Sequence, residues 1–287
     1  MTVDWRLAAR FLRRARRRYM AQRRFPHADT RAMPIFFGNS FPKSGTHLLT
    51  QILAGFTRLG PVVESGLPPV LTFAGESGRP RPLDRILAEL RRLQPGEIGY
   101  GHLHALPEIV AYLCRDGMAP YFIYRDPRDV VVSHVFYITD INNHHVHHDY
   151  YVNELSSFEQ RLKVSILGRP ELANPFPDIR RRFEPYLPWL ERPEVHSLRY
   201  EDIVHDQAAS LEGILEHAIR RGFSLSGGRE WGLQVLAQAI DPARSPTFRS
   251  GQTGGWRQHF TPEISALFKE VSGDLLLRLG YEQDTNW

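Results

Sequence analysis

The chain of 287 residues contains a single cysteine, Cys114, which excludes an intramolecular disulfide and a cysteine-rich zinc site. No apolar run approaches the roughly 20 residues that cross a bilayer, and no signal-peptide segment stands at the start. These shortages predict a protein of a reducing compartment, and we expect a cytoplasmic location. Hydrophobic residues make up 42% and charged residues 24% of the chain, as in ordinary globular proteins.

Acidic residues are scarce only at the beginning of the chain. The first 31 residues hold ten arginines against Asp4 and Asp29, whereas the remainder has more acidic than basic residues. The sequence pI of about 9.3 therefore belongs to an N-terminal arm, and we predict no nucleic-acid partner. We divide the chain into this arm, residues 1–31, and a single domain, residues 32–287.

Within the arm, residues 5–24 place apolar and arginine side chains at helical spacing on different faces. Two interpretations of this basic amphipathic helix stand side by side. Its apolar stripe either packs on the domain or makes peripheral contact with an anionic membrane. An arginine-rich targeting presequence is a third interpretation.

A Walker A loop is also absent, because no Gly-Lys pair occurs in the glycine-containing turn at residues 41–48. This turn follows an apolar run, residues 33–37, that predicts a buried strand, and it precedes helical spacing over residues 48–56. Free amide groups at a helix start attract anions, and Lys43 adds a full charge there. We predict that the turn binds a phosphate or a phosphate-like group. A plain junction with an exposed lysine is the alternative.

Further strand-like runs at residues 97–101, 120–124 and 195–200 alternate with helical patterns. This alternation predicts an α/β fold of three layers, in which helices flank a central parallel sheet, as in P-loop-like nucleotide-binding proteins. Ligands of such sheets bind at the carboxyl ends of the strands. We therefore expect one edge of the sheet to hold Lys43, His102, Arg125 and Ser133.

Three segments outside the predicted sheet receive simpler interpretations. Residues 61–82 are rich in Pro, Gly and Ser and should form a long surface excursion, whereas residues 264–279 should form one closing helix. Residues 139–151 contain four histidines. Sequence-adjacent histidines point in different directions and lack ligand partners nearby, so we predict a mobile loop over the site and no metal.

Three motifs in the same order resemble the sulfotransferases that use 3′-phosphoadenosine 5′-phosphosulfate (PAPS), particularly the soluble type. Residues 42–46, Pro-Lys-Ser-Gly-Thr, resemble the loop that holds the 5′-phosphosulfate. Residues 125–130, Arg-Asp-Pro-Arg-Asp-Val, together with Ser133, resemble the 3′-phosphate site. Residues 248–261 resemble the C-terminal loop that closes over the nucleotide.

The resemblance implies that the chain moves a sulfuryl group from PAPS to an acceptor hydroxyl or amine, with no metal required. It implies catalytic roles for His102 as general base, for Lys43 at the leaving group and for Ser133. His104 is the alternative base, because it follows closely where relatives often have proline. The residues implied to bind the nucleotide are Lys43, Ser44, Gly45, Thr46, His47, Leu48, Arg125, Ser133, Tyr200, Phe248, Arg249, Ser250 and Gly251.

The chain departs from the resemblance at several positions. Many relatives have Thr-Trp where this chain has His47 and Leu48, so Phe248 and Trp256 become the candidates for stacking on adenine. Ser250 stands where lysine is common. The short dimer motif of animal members is poorly matched around Thr261, which leaves the oligomeric state open.

Two other functions compete with the sulfotransferase interpretation. The first is a P-loop small-molecule kinase, which would need the Gly-Lys-Ser/Thr loop that is absent. The second is a non-catalytic protein that binds a nucleotide or a membrane through its basic arm. No sequence pattern identifies the acceptor, and a small molecule, a glycan and a lipid are all candidates.

Overall fold

A computed structural model describes residues 5–74, 78–172, 176–244 and 251–287, with the main chain alone for residues 5–11. Its centre is a parallel sheet built from six strands of this described part. The strands are β1 (Ile35–Ser40), β2 (Val63–Glu64), β3 (Val70–Leu71), β6 (Glu97–His102), β7 (Met118–Tyr124) and β8 (His196–Arg199). Their order is β2-β6-β1-β7-β8, and β3 also pairs with β6. Two short strands, β4 (Phe73–Ala74) and β5 (Arg79–Pro80), form a separate antiparallel pair.

Helices follow the strands as the alternating pattern predicts. They are α1 (Trp5–Arg24), α2 (Thr46–Gly55), α3 (Leu83–Leu90), α4 (Pro107–Leu113), α5 (Pro127–Phe136), α6 (Phe158–Leu167), α7 (Ile179–Phe183), α8 (Tyr200–His205), α9 (Gln207–Arg220), α10 (Arg229–Ala239), α11 (Pro262–Ser272) and α12 (Leu275–Arg278). The predicted three-layer α/β fold with a central parallel sheet is confirmed.

Strand β1 shows why both faces of the sheet need helices. Its six residues are all buried, and successive side chains of a strand point to opposite faces. Phe36 enters a hydrophobic cluster with Ile52 and Phe56 of the α2 region. Phe37 enters a second cluster on the other face with Phe122 and Trp189. A strand with this pattern is stable only between two layers.

Helix α5 begins as the sequence predicts. The Asp126 side chain accepts a hydrogen bond from the backbone N–H of Arg128 at 2.9 Å, and Pro127 occupies the first turn. This cap fixes the direction in which α5 leaves the end of β7. Ser133, which lies in the second turn of α5, is thereby held beside the edge of the sheet.

Three segment predictions need correction. Residues 61–82 are not only a surface excursion, because β2 and β3 join the main sheet and bury Val63 and Val70. The predicted closing helix is two helices, since Gly273 has a φ of 54° that ends α11. The predicted loop at residues 139–151 is shorter than expected, because two π-helical turns, Tyr137–Ile141 and Tyr150–Glu154, take up its ends. His147 and Tyr151 are buried, and the mobility of the loop stays a prediction.

The basic helix α1 is tied to the domain by its arginines. Arg14 donates to the Glu97 carboxylate at 2.6 Å, Arg17 to the Glu64 carbonyl at 3.1 Å and Arg18 to the Pro95 carbonyl at 2.9 Å. Two apolar side chains in the described part of α1 face outward, Leu12 with 67% and Met20 with 55% exposure. Membrane contact through residues 5–24 stays a prediction. No helix in the described ranges is long and apolar enough to cross a bilayer.

Glu97 is the buried end of this attachment, so we expect Glu97→Gln to lower the free energy of unfolding by about 1–3 kcal/mol. The carboxylate is fully buried and also accepts the Gln94 N–H at 2.9 Å, and an amide cannot replace both charge-assisted bonds. Urea denaturation measures the difference. Glu64→Gln, which changes an exposed carboxylate on β2, is the control and should differ from the wild type by less than about 0.5 kcal/mol. Equal stabilities of the two variants would contradict this role of Glu97.

Candidate active site

The glycine-containing turn lies between β1 and α2, as predicted. Lys43 has a φ of 67° and Gly45 a φ of 96°, so the chain turns twice through the left-handed region. This turn points the first amide groups of α2, from Thr46 to Leu48, into a cavity, and those groups lack intrahelical partners. Among the described residues, the buried hydroxyl of Ser44 also has no hydrogen-bond partner. The turn therefore presents several donors to one point.

Gly45 is required here for two reasons. Its positive φ is unfavourable for residues with a side chain. A Cβ at this position would also lie only 2.6 Å from Cδ2 of the Tyr200 ring. Tyr200, at the start of α8, therefore packs directly against the backbone of the turn.

Lys43 projects from the turn toward the wall of the cavity. Its ammonium group lies 3.9 Å from the centre of the Tyr137 ring, in a cation–π contact. Burial, and then the nearby positive charge of Arg125, lower the pKa of Lys43 to about 8. The side chain is thus mostly protonated at neutral pH, but it loses its charge far more readily than an exposed lysine.

His102 ends β6, next to the last residue of β1. Its Nδ1 lies 2.8 Å from the Ser40 carbonyl oxygen, which can only accept a hydrogen bond. Nδ1 therefore carries the ring proton in this contact, and Nε2 is left with its lone pair. Burial is the main cause that lowers the pKa of His102, with contributions from His47 and Lys43, although the bond to Ser40 opposes the shift. The ring is consequently a neutral base at physiological pH.

Ser40 connects this base to the turn. Its hydroxyl lies 3.1 Å from Nδ1 of His102 and 2.8 Å from Oγ1 of Thr46, the first residue of α2. A single side chain thus sets the position of the imidazole relative to the helix start. Ser40 was not among the site residues predicted from the motifs.

Arg125 follows β7 and forms the far side of the same cavity. Its guanidinium lies 4.6 Å from the centre of the Tyr200 ring and donates to the Gln252 carbonyl at 2.7 Å. One nitrogen is 3.4 Å from the Asp129 carboxylate. The buried Nε has no hydrogen-bond partner among the described residues. Arg125 therefore keeps donor capacity for an anion.

Asp129 anchors the C-terminal loop over Arg125. Its carboxylate accepts the N–H of Gly254 at 2.8 Å and of Trp256 at 2.9 Å.

Of the predicted loop residues, Gly251 lines the cavity, whereas Phe248, Arg249 and Ser250 lie outside the described residues. Trp256 does not line the cavity. Its ring packs at 4.1 Å on the guanidinium of Arg128, which the nearby C-terminal Trp287 also contacts.

These groups share a cavity of about 770 Å³, which we call the nucleotide cavity. It is lined by the predicted site residues Lys43, Gly45, Thr46, His47, Leu48, His102, Arg125, Ser133, Tyr200 and Gly251. Its other wall is apolar and comes from α8 and from the segment after α10, with Ile203, Val204 and Ile240 among its residues. The expectation that Lys43, His102, Arg125 and Ser133 meet at one sheet edge is met by this geometry.

A second cavity of about 680 Å³, which we call the acceptor cavity, adjoins the first. Pro42, Lys43 and Tyr137 line both cavities and form the wall between them.

His104 lines only the acceptor cavity, where its ring makes edge contacts with Phe73 and Tyr186. Burial lowers the pKa of His104 to about 4. Of the two candidate bases, only His102 shares the nucleotide cavity with Arg125.

The functional residues that the motifs missed have their partners far away in sequence. Tyr137 carries no motif of its own, and its role depends on the chain bringing it under Lys43. Asp129 lies inside a recognised motif, but its bonds to residues 254 and 256 are visible only in three dimensions. Within the described part of the chain, no three His, Cys, Asp or Glu side chains form a group suited to hold a metal ion.

Comparison with known proteins connects this geometry to solved structures. No protein-family model and no curated protein matches the sequence. Mouse sulfotransferase SULT7A1 complexed with PAP has a similar structure, with a TM-score of 0.55 and 19% identity over 94% of this chain and 93% of that chain. Retinol dehydratase in complex with androsterone and the inactive cofactor PAP gives a TM-score of 0.55 and 18% identity, over 87% of this chain and 83% of that chain.

Retinol dehydratase in a complex with retinol and PAP gives a TM-score of 0.54 at 19% identity, over 87% of this chain and 84% of that chain. At such identities the likeness establishes the fold. The chain has the sulfotransferase fold over most of its length, as its motifs predict.

Gly45→Ala tests the turn. We expect it to destabilise the protein by at least about 1–2 kcal/mol, because alanine is strained at this φ and its Cβ would collide with Tyr200. Chemical denaturation gives the stability difference. The control is Gly228→Ala, where φ is −76° and an added Cβ meets nothing within 4 Å. If both variants keep wild-type stability, the turn does not have the conformation described.

Proposed function

We propose that this protein is a PAPS-dependent sulfotransferase that acts on the hydroxyl or amine of a small molecule. The observation that carries the proposal is the meeting of Lys43, the α2 amide groups, His102 and Arg125 in one cavity. The shared fold with PAP-bound sulfotransferases supports it. Adenine would lie against the apolar wall and Tyr200, the 5′-phosphate against the turn, and the 3′-phosphate near Arg125 and Ser133.

The residues present fit this ligand. Among the described residues, the Ser44 hydroxyl and the Arg125 Nε find no hydrogen-bond acceptor, and both belong to residues of the predicted phosphate sites. A guanidinium and helix-start amides are the groups that proteins use for phosphates. Loop residues Phe248, Arg249 and Ser250 remain proposed contacts, as the resemblance implies.

The reaction would be an in-line sulfuryl transfer. PAPS supplies the sulfuryl group, whose bond to the bridging phosphate oxygen breaks as the acceptor oxygen bonds to sulfur. His102 takes the acceptor proton at Nε2, because Nδ1 is held by Ser40. Lys43 stabilises the negative charge that develops on the bridging oxygen. This oxygen stays with PAP, which is the leaving group.

The acceptor is proposed to enter the acceptor cavity, which meets the nucleotide cavity at Lys43 and Tyr137. Aromatic and aliphatic side chains line much of this space, including Phe41, Phe73 and Tyr186. A small molecule with an apolar body fits such walls. The neighbouring structures with retinol and with androsterone are consistent with an apolar acceptor.

Calorimetric titration with PAP tests the nucleotide site. We expect micromolar binding to the wild type and at least about tenfold weaker binding to Arg125→Ala, which removes a charge-assisted contact. The control is Arg115→Ala, whose guanidinium stacks on Tyr112 at 3.9 Å and lines neither cavity. Binding of ATP–magnesium instead of PAP would overturn the proposal in favour of a kinase.

The pH dependence of kcat/KM tests the two catalytic groups. The pKa of His102 is lowered, so the rate should rise as His102 loses its proton below pH 6.5. The pKa of Lys43 is about 8, so the rate should fall above about pH 8 as the charge is lost. Lys43→Arg should move only the alkaline limb upward, because arginine stays charged. An unchanged alkaline limb in this variant would exclude Lys43 as its source.

Alanine variants separate the two candidate bases. We expect His102→Ala to lower kcat by about 100-fold or more while PAP binding is kept, because only the proton transfer is lost. His104→Ala should reduce kcat much less, since His104 lies in the wall of the acceptor cavity. The reverse order of effects would assign the base to His104.

A further inference from the structure

The acceptor cavity has an unusual balance of charge for an apolar space. Four cationic side chains line it, and no Asp or Glu does among the described residues. The cations are Lys43, Arg169, Arg181 and Arg182. Lys43 belongs to the wall shared with the nucleotide cavity. The three arginines come from α7 and from the segment after α6, outside the catalytic groups.

Two of the three arginines are already neutralised by partners outside the cavity. Arg169 pairs with Glu171 at 2.9 Å, and Arg181, whose side chain is 73% exposed, lies 3.5 Å from Asp178. Arg182 differs from both. It has no ion pair within the described ranges, and its buried Nε has no hydrogen-bond partner.

Within the described ranges Arg182 makes its contacts with neutral groups, and the nearby Asp178 carboxylate acts on its charge without forming an ion pair. One of its nitrogens donates to the Ser165 carbonyl, and its guanidinium lies 4.4 Å from the centre of the Phe176 ring. Burial lowers the pKa of Arg182 to about 10, although the fields of Tyr151 and Asp178 oppose the shift. A buried charge of this kind is costly unless an anion completes it.

Two histidines of the acceptor cavity, His145 and His147, add hydrogen-bonding capacity without charge. Burial lowers the pKa of His145 to about 4 and lowers the pKa of His147, so both rings are neutral at physiological pH. Both line the same cavity as Arg182: His147 contacts the Phe176 ring on which Arg182 packs, and His145 contacts His147. Neutral imidazoles can donate to an anion without competing for it as carboxylates would.

We propose that the acceptor is an amphiphilic anion, whose apolar body fills the acceptor cavity and whose single anionic group pairs with Arg182. The role as acceptor rests on the proposed sulfotransferase function, but the anion site stands on the contacts of Arg182 alone. Such a molecule would present its hydroxyl at the Lys43 and Tyr137 wall and its anionic group among Arg182, His145 and His147. A carboxylate, a sulfonate and a phosphate monoester share this chemistry.

The probes are ω-(4-hydroxyphenyl)alkanoates of increasing chain length and their primary amides, which match the acids in shape but carry no charge. Calorimetry with the full-length protein and PAP measures their binding. We expect at least one acid to bind about tenfold or more tightly than its amide, as a charge-assisted pair provides. Equal affinity of acid and amide at every length, or no binding of either, would overturn the proposal.

Variants assign the difference to Arg182. Arg182→Met should remove the preference for the acid and leave amide binding unchanged, whereas Arg182→Lys should keep part of the preference. The control is Arg180→Met on the same helix, which pairs with Glu184 and Asp274 and lines neither cavity. If Arg182→Met does not fold, Arg182→Lys and the wild-type pair of probes still decide. An undiminished preference in either Arg182 variant would assign the anion to another group.

Transfer of labelled sulfate from PAPS to the same probes keeps the two proposals apart. An acid that binds through Arg182 but is never sulfated would refute the proposed function and leave the anion site in place. Sulfation of acid and amide with equal kcat/KM would refute the amphiphilic acceptor while supporting the enzyme activity.

Discussion

The left-handed turn through Lys43 and Gly45 is the constraint on which the site depends. It lets β1 pass into α2 within a few residues and brings the start of α2 and the lysine to one cavity. The cost of this conformation is repaid by the packing of Tyr200 against the glycine and of Tyr137 against the lysine. The glycine-containing turn, the π-helical turn after α5 and the start of α8 therefore hold one another in place.

Ser40 links the turn to the imidazole of His102 and fixes the position of that ring. The carbonyl of this residue selects the tautomer of His102, and its hydroxyl reaches Thr46. Asp129 extends the same arrangement to the C-terminal loop, whose amides it binds beside Arg125. The guanidinium of Arg125 and the imidazole of His102 are thus held by backbone groups and by short side chains, which lose little conformational freedom.

Much of this arrangement could be predicted from the sequence, because its signals are local. Apolar runs and helical spacing gave the strands and helices, and parallel topology brought distant strand ends to one edge. The prediction for residues 61–82 is wrong in part, because strands of two residues carry too little pattern to outweigh the prolines around them. The apolar helical spacing continues on both sides of Gly273, so the sequence pattern does not reveal the break between α11 and α12. The acceptor cavity could not be foreseen, since it is assembled from α5, α7 and single residues of several loops.

The wall between the two cavities has a consequence of its own. One ammonium group, Lys43, faces both spaces, with the Tyr137 ring beneath it. An anion in either cavity would keep the Lys43 ammonium group protonated and would compensate part of its positive charge. Occupants of the two cavities must therefore influence each other's affinity reciprocally, even without any movement of the chain. The wall that separates the two cavities therefore also couples them electrostatically.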